Sequence, residues 1–258
     1  MFGRPDRYAL SPTRPYTPPA VYLDEYLAMH EALGVERGVI VQSGVHGTDN
    51  RALLDAIATR PERLRGIALI RNDITDEELD TVSRGGVVGF RSNLVAKTGV
   101  QLEDARKLAA RVARLGWHVQ FLLDVESFPD LDEVLGSFPT QVVIDHMGRP
   151  DVSAGTQAPG FQALIRLLKT GKGWTKLSAP YRTSRAASPY ADLRPFAQAL
   201  VESAPDRLVW GTDWPHVMLP EPVPNTGELT DELAAWVPDE ATRSQILVTN
   251  PERLYGFG

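Results

Sequence analysis

The sequence contains no cysteine. That excludes a disulfide framework, a thiolate metal centre and a cysteine nucleophile, and it suits a reducing compartment. The protein is therefore read as cytoplasmic. Long apolar runs are also missing: none reaches the roughly 18 residues that a membrane-spanning helix needs. The opening MFGRPDRYALSPTRPYTPPA is polar and proline-rich, which is not the pattern of a secretory signal. Positive charge is in short supply, with 27 Lys and Arg against 33 Asp and Glu and a formal charge of −6. No basic stripe gathers, so neither nucleic acid nor a membrane surface is an expected partner. No G-x-G-x-x-G follows a strand signal and no H-E-x-x-H lies on a helix, which argues against a dinucleotide fold and against that zinc motif.

What is present is an alternation. The 258 residues, 43% of them hydrophobic, can bury a full core as one domain spanning 1–258. After an irregular segment over 1–18, apolar spacing predicts a helix over 19–34 and a strand over 37–44. A capped helix over 49–61, a strand over 64–70, a helix over 75–86 and a strand over 87–93 come next. Residues 102–116 give the clearest amphipathic helix. A strand over 118–124, a weaker helix over 128–139, a strand over 140–148 and a helix over 160–171 follow. The pattern continues with a strand over 173–180, a helix over 190–205 and a strand over 207–216, and the C-terminus reads as helical. Alternation of this kind means parallel strands with crossover helices. Seven strands, each followed by a helix and with one helix ahead of them, predict an α/β fold of the TIM-type (β/α)8 barrel class that begins just after its first strand.

In such a barrel the reacting groups stand at the C-terminal ends of the strands. Those ends carry Gln42 and Ser43, Arg91 and Asn93, Gln120 and Asp124, Asp145 and His146, Ser178, Tyr181 and Arg182, then Asp213 and His216. Each has an ordinary structural reading too. Asp213 could hold a turn, His146 could be hydrogen-bonded packing, and Arg91 and Arg182 could be surface arginines. His46 reads as an exposed loop residue or a ligand contact, His30 as structural and Asp49 as a helix cap. His216 could simply orient its loop, and Trp117, Trp174 and Trp236 read as packing. A carboxylate straight after Val209-Trp210-Gly211-Thr212 nevertheless needs partners if it is buried.

The segments QSGVHGTDN, GFRSN, VVIDHMG, KLSAPYR and GTDWPH occur in this order at successive strand ends. In this the chain resembles the amidohydrolase-related (amidohydrolase 2) family of metal-dependent hydrolase-like barrels. Within it, the likeness is strongest to the 2-pyrone-4,6-dicarboxylate hydrolases, which are lactonases. The resemblance implies hydrolysis of a cyclic ester with a small anionic substrate. It implies Asp213 as the general base on water and His146 as the group that polarises the carbonyl. It also implies Arg91 and Arg182 as carboxylate clamps, with Lys97, Tyr16, Ser43 and Gln120 as further substrate contacts.

Two departures stand out. Family members open on an Asp-x-His-x-His strand, whereas this sequence starts at Met1-Phe2-Gly3, where that pattern would read roughly HVFG. The expectation is that a valine codon was read as the start and that the natural chain carries the first strand. The fifth strand offers Gln120 where the lactonases have tyrosine. Catalytic zinc typically takes three protein ligands and an open position, and His146 with Asp213 supplies two. The expectation is thus no cofactor, with zinc only if a first strand brings ligands. Two other functions remain open: a metal-dependent hydrolase or decarboxylase of the same family, and a catalytically inactive barrel that binds an anion.

Overall fold

Pro18 and Pro19 keep the start of the chain out of helix, so α1 (Leu23–Leu33) begins later than apolar spacing alone predicts. The Glu25 carboxylate accepts the Tyr22 backbone N–H at 3.0 Å, which satisfies a donor at the helix start. Gly34, at φ 69°, closes the helix in the left-handed region that glycine tolerates. The structure is a computed structural model that describes residues 2–96, 98–220 and 222–257, and its contacts divide into two units.

The first unit comprises the described residues of 1–120 and 214–223, with Phe257. After α1 it runs through β1 (Gly38–Val41), α2 (Arg51–Thr59), β2 (Leu64–Ala68), α3 (Asp76–Arg84) and β3 (Val87–Asn93). A two-residue β4 (Thr98–Gly99), α4 (Leu102–Val112) and the start of β5 (His118–Leu122) complete it. β1 pairs parallel with β2, and β2 parallel with β3. β4 turns back antiparallel on β3, a pairing that the sequence pattern did not foresee. The Ser92 hydroxyl donates to the Val100 carbonyl at 2.6 Å and fastens that turn. Gly89 is required where β3 meets β5, because a Cβ there would sit 2.7 Å from the His118 carbonyl oxygen.

The second unit comprises residues 121–213 and 224–256. It contains the end of β5, α5 (Leu131–Gly136), β6 (Val142–Ile144), α6 (Pro159–Lys169), β7 (Gly173–Leu177), α7 (Arg194–Ser203) and β8 (Leu208–Trp210). Three helices follow: α8 (Thr226–Trp236), α9 (Glu240–Ser244) and α10 (Asn250–Tyr255). β6 pairs parallel with β7, and β7 parallel with β8. Every residue of β6 and β7 is buried, as in parallel strands covered on both faces. Phe121 packs edge-on to Phe138 at 5.5 Å, and Phe161 edge-on to Phe196 at 4.9 Å. Each such ring, fully buried, contributes about 1.5–3 kcal/mol before entropy is counted.

The expected parallel α/β alternation is therefore present, and each predicted strand has its counterpart. Among the described residues no strand precedes α1. β3 ends at Asn93, as expected, whereas the other predicted strands stop earlier than their apolar runs suggested. β6 ends at Ile144 because Asp145 leads into a tight turn, with His146 at φ 54° and Met147 at φ 55°. No helix among the described residues is long and apolar enough to cross a membrane.

Candidate active site

Parallel pairing brings three strand ends of the second unit side by side. Ile144 is in register with Thr175, and Leu177 with Trp210. The residues that follow, 145–146, 178–182 and 211–213, thus leave the sheet as neighbours. At Pro180–Arg182 the chain makes a single 3-10 turn, entered by Ala179 at φ 51° and started by proline, whose φ suits it. That turn presents two consecutive side chains, Tyr181 and Arg182, to one target.

The target is Asp213. Its Oδ2 accepts from the Tyr181 hydroxyl at 2.8 Å and from Arg182 Nε at 2.7 Å. Its Oδ1 faces His146 Nε2 at 3.8 Å, beyond hydrogen-bond length. On the far side of the ring, His146 Nδ1 lies 2.8 Å from Ser178 Oγ. Asp213 itself has left-handed backbone, φ 53°, a conformation in which aspartate is tolerated better than most residues. Beneath the site, Lys176 Nζ and Asp145 Oδ1 form a buried ion pair at 2.9 Å.

Electrostatics decide the state of the carboxyl. Burial, the largest single influence, pushes the Asp213 pKa up. His146, then the Arg182 charge and hydrogen bond, and the Tyr181 hydroxyl all pull it down, and together they prevail. Asp213 is held below its ordinary value and is ionised at neutral pH. The Tyr181 phenol is pushed up, by burial first and then by the Asp213 charge, so it stays protonated as a donor.

Of the candidates named from sequence, His146, Arg182 and Asp213 are brought together. Arg182, expected from the resemblance against substrate, is also bonded to Asp213. Tyr181 and Ser178, polar strand-end residues in the sequence, prove to be the partners of Asp213 and His146. Arg91, half-buried in β3, Gln120, fully buried in β5, and the half-buried Ser43 and Tyr16 lie in the first unit. Ser43 accepts the Val45 N–H at 3.2 Å, and the Tyr16 ring meets Phe2 edge-on at 6.3 Å. Lys97 lies outside the described residues. His46 is not an exposed loop residue: it is buried, its Nε2 accepts from the Gly3 N–H and its Nδ1 lies 3.1 Å from the Ala9 carbonyl.

The family resemblance raises the question of a metal. Among the described residues no three His, Cys, Asp or Glu side chains gather to hold one. His146 and Asp213 provide a pair, and Asp213 Oδ2 is already engaged by a guanidinium cation. This donor set does not fit a catalytic zinc with three protein ligands.

The chain is 36% identical over 266 residues to 2-pyrone-4,6-dicarboxylate hydrolase of Comamonas testosteroni, covering 99% of this chain and 87% of the relative. It is 37% identical over 261 residues to 4-sulfomuconolactone hydrolase of Rhizobium radiobacter, with 99% and 87% covered. Among solved structures it resembles a probable 2-pyrone-4,6-dicarboxylic acid hydrolase from Acinetobacter baumannii, with citric acid bound. There the TM-score is 0.86 at 30% identity, over 97% of this chain and 95% of the other. The family described as Amidohydrolase matches residues 1–257, and the chain belongs to that family.

Proposed function

We propose that this protein is a lactonase that opens a small carboxylated lactone of the 2-pyrone-4,6-dicarboxylate type, with Asp213 as general base. The observation that carries the reading is the state of Asp213: ionised, tethered through Oδ2, with Oδ1 facing His146. Support also comes from the relatives that act on lactones and from a similar structure holding citric acid, itself a small polycarboxylate.

In this mechanism a water molecule gives one proton to Asp213 as its oxygen bonds to the lactone carbonyl carbon. The carbonyl oxygen takes the negative charge, and the His146 imidazole N–H stabilises it. Collapse re-forms the carbonyl and breaks the ring C–O bond. The departing ring oxygen then takes the proton from Asp213, and the new carboxylic acid loses its own proton to solvent. A carboxylate below its ordinary pKa is a weak base, so proton transfer has to accompany C–O bond formation rather than precede it. A pyrone helps, because its leaving group is a stabilised enolate. Arg182 is assigned to the substrate carboxylate in addition to its bond with Asp213. Arg91, Lys97, Tyr16, Ser43 and Gln120 are assigned as further substrate contacts on the strength of the resemblance.

The test is loss of pyrone ultraviolet absorbance when the protein meets 2-pyrone-4,6-dicarboxylate, with and without chelator. Turnover in both, reduced at least about 100-fold in Asp213→Asn with substrate binding retained, is expected for loss of a general base. Binding without turnover by the unaltered protein would favour the inactive anion-binding alternative. Full activity in Asp213→Asn would remove the mechanism.

A further inference from the structure

We propose that Tyr181 is a positioning residue that decides which oxygen of Asp213 receives the proton, an inference that rests on the hydrolytic reading above. The two carboxylate oxygens are not equivalent. Oδ2 takes two donors at 2.7 and 2.8 Å, from consecutive residues of one turn. Each carboxylate oxygen offers about two lone-pair sites, so a proton can reach Oδ2 only by displacing a donor. Oδ1 carries no hydrogen bond among the described residues, and its neighbour His146 Nε2 is 3.8 Å away. Oδ1 is thus the oxygen whose lone pairs these two donors leave unoccupied.

Arg182 and Tyr181 contribute to this differently. The guanidinium brings charge, which also attracts an anionic substrate, so its removal affects binding and base together. The phenol is neutral and remains a donor, its pKa raised by burial and by the Asp213 charge. It holds the carboxyl plane and stabilises the ionised form without adding charge. The Arg182 guanidinium lies 5.4 Å from the Tyr181 ring centroid, which keeps the two donors in one packed unit. Removing the hydroxyl alone therefore has a distinctive signature. The carboxyl gains proton affinity, and the proton is no longer directed to Oδ1, whereas attraction for the substrate is unchanged.

The experiment uses Tyr181→Phe and, as a variant that keeps the shape of the side chain, 3-fluorotyrosine at position 181. Two readouts are taken: the carbon-13 titration of the Asp213 carboxyl, assigned with Asp213→Asn, and the pH dependence of kcat for 2-pyrone-4,6-dicarboxylate. In Tyr181→Phe the midpoint is expected to rise by about one pH unit, a tenfold gain in proton affinity. The acid limb of kcat should move with it, kcat should fall several-fold on the plateau, and KM should change less than about twofold. The more acidic fluorinated phenol is a stronger donor and should shift the midpoint the other way. An unmoved midpoint in the fluorinated protein, and in a folded Tyr181→Phe, overturns the assignment whether or not lactone is consumed. A moved midpoint in a protein that consumes no lactone counts instead against the hydrolytic reading.

Discussion

Ser178 Oγ stands 2.8 Å from His146 Nδ1, and both side chains are buried. The contact follows from register. Ile144 of β6 is level with Thr175 of β7, so the residues just beyond these strands meet across one gap. With the imidazole proton on Nε2, facing the Asp213 carboxylate, Nδ1 accepts from the serine hydroxyl. Ser178 then fixes both the tautomer and the plane of the ring.

Ser178→Ala should therefore reduce kcat while leaving KM for the pyrone dicarboxylate almost unchanged. A net hydrogen bond of about 0.5–1.5 kcal/mol corresponds to roughly a 2- to 10-fold loss. Nitrogen-15 shifts of the His146 ring should show mixed tautomers. Unaltered kcat together with unaltered ring shifts would mean that packing alone holds His146.

Arg182→Met should act on two quantities at once. Removing the Nε donor and its charge relieves two of the influences that depress the Asp213 pKa, so the acid limb of kcat should move to higher pH. Loss of a guanidinium partner for the substrate should raise KM. A hydrogen bond to a charged group is worth about 1.5–3 kcal/mol, which predicts a fall in kcat/KM of roughly 10- to 150-fold. Arg182→Lys should recover part of the charge effect but not the directed Nε bond. A change in KM with a fixed pH profile would show that the contact with Asp213 has no influence on the base.

Strand centres were legible in the sequence because parallel strands buried on both faces read as continuous apolar runs, as in Val142–Ile144. Their ends were not, because the left-handed backbone at His146, Met147 and Asp213 falls on residues other than glycine. The helix start at Arg51 illustrates competition between uses of one side chain. Asp49 supplies the cap by accepting the Arg51 N–H at 3.1 Å, whereas Asn50 is taken up by Leu69, donating to its carbonyl at 2.8 Å. That Asp213, His146 and Arg182 follow strand ends was readable from the sequence; their mutual contacts were not. The Tyr181 bond to Asp213 spans 31 intervening residues, and the contacts of His46 with Gly3 and Ala9 span more. No periodicity in a single sequence reports pairs so distant.

The sharpest stability prediction concerns His30, away from the proposed chemistry. It is 3% exposed on α1, packed against Tyr26 with ring centroids 4.1 Å apart and the planes inclined by 55°. It presses so closely on β1 that a Cβ at Gly38 would lie 2.4 Å from its Cε1. Burial first, and then the Arg63 charge, lower its pKa from 6.5 to about 4. Between those values the unfolded chain takes up a proton that the native chain refuses. Stability from this group is therefore complete above the unfolded value and is lost as the pH falls toward about 4. The shift corresponds to roughly 3 kcal/mol at most. His30→Leu removes the titration, so its urea midpoint should fall less between pH 7 and pH 4.5 than that of the unaltered protein. Equal slopes for the two proteins would show that His30 takes up its proton in the folded state, with room for water beside it.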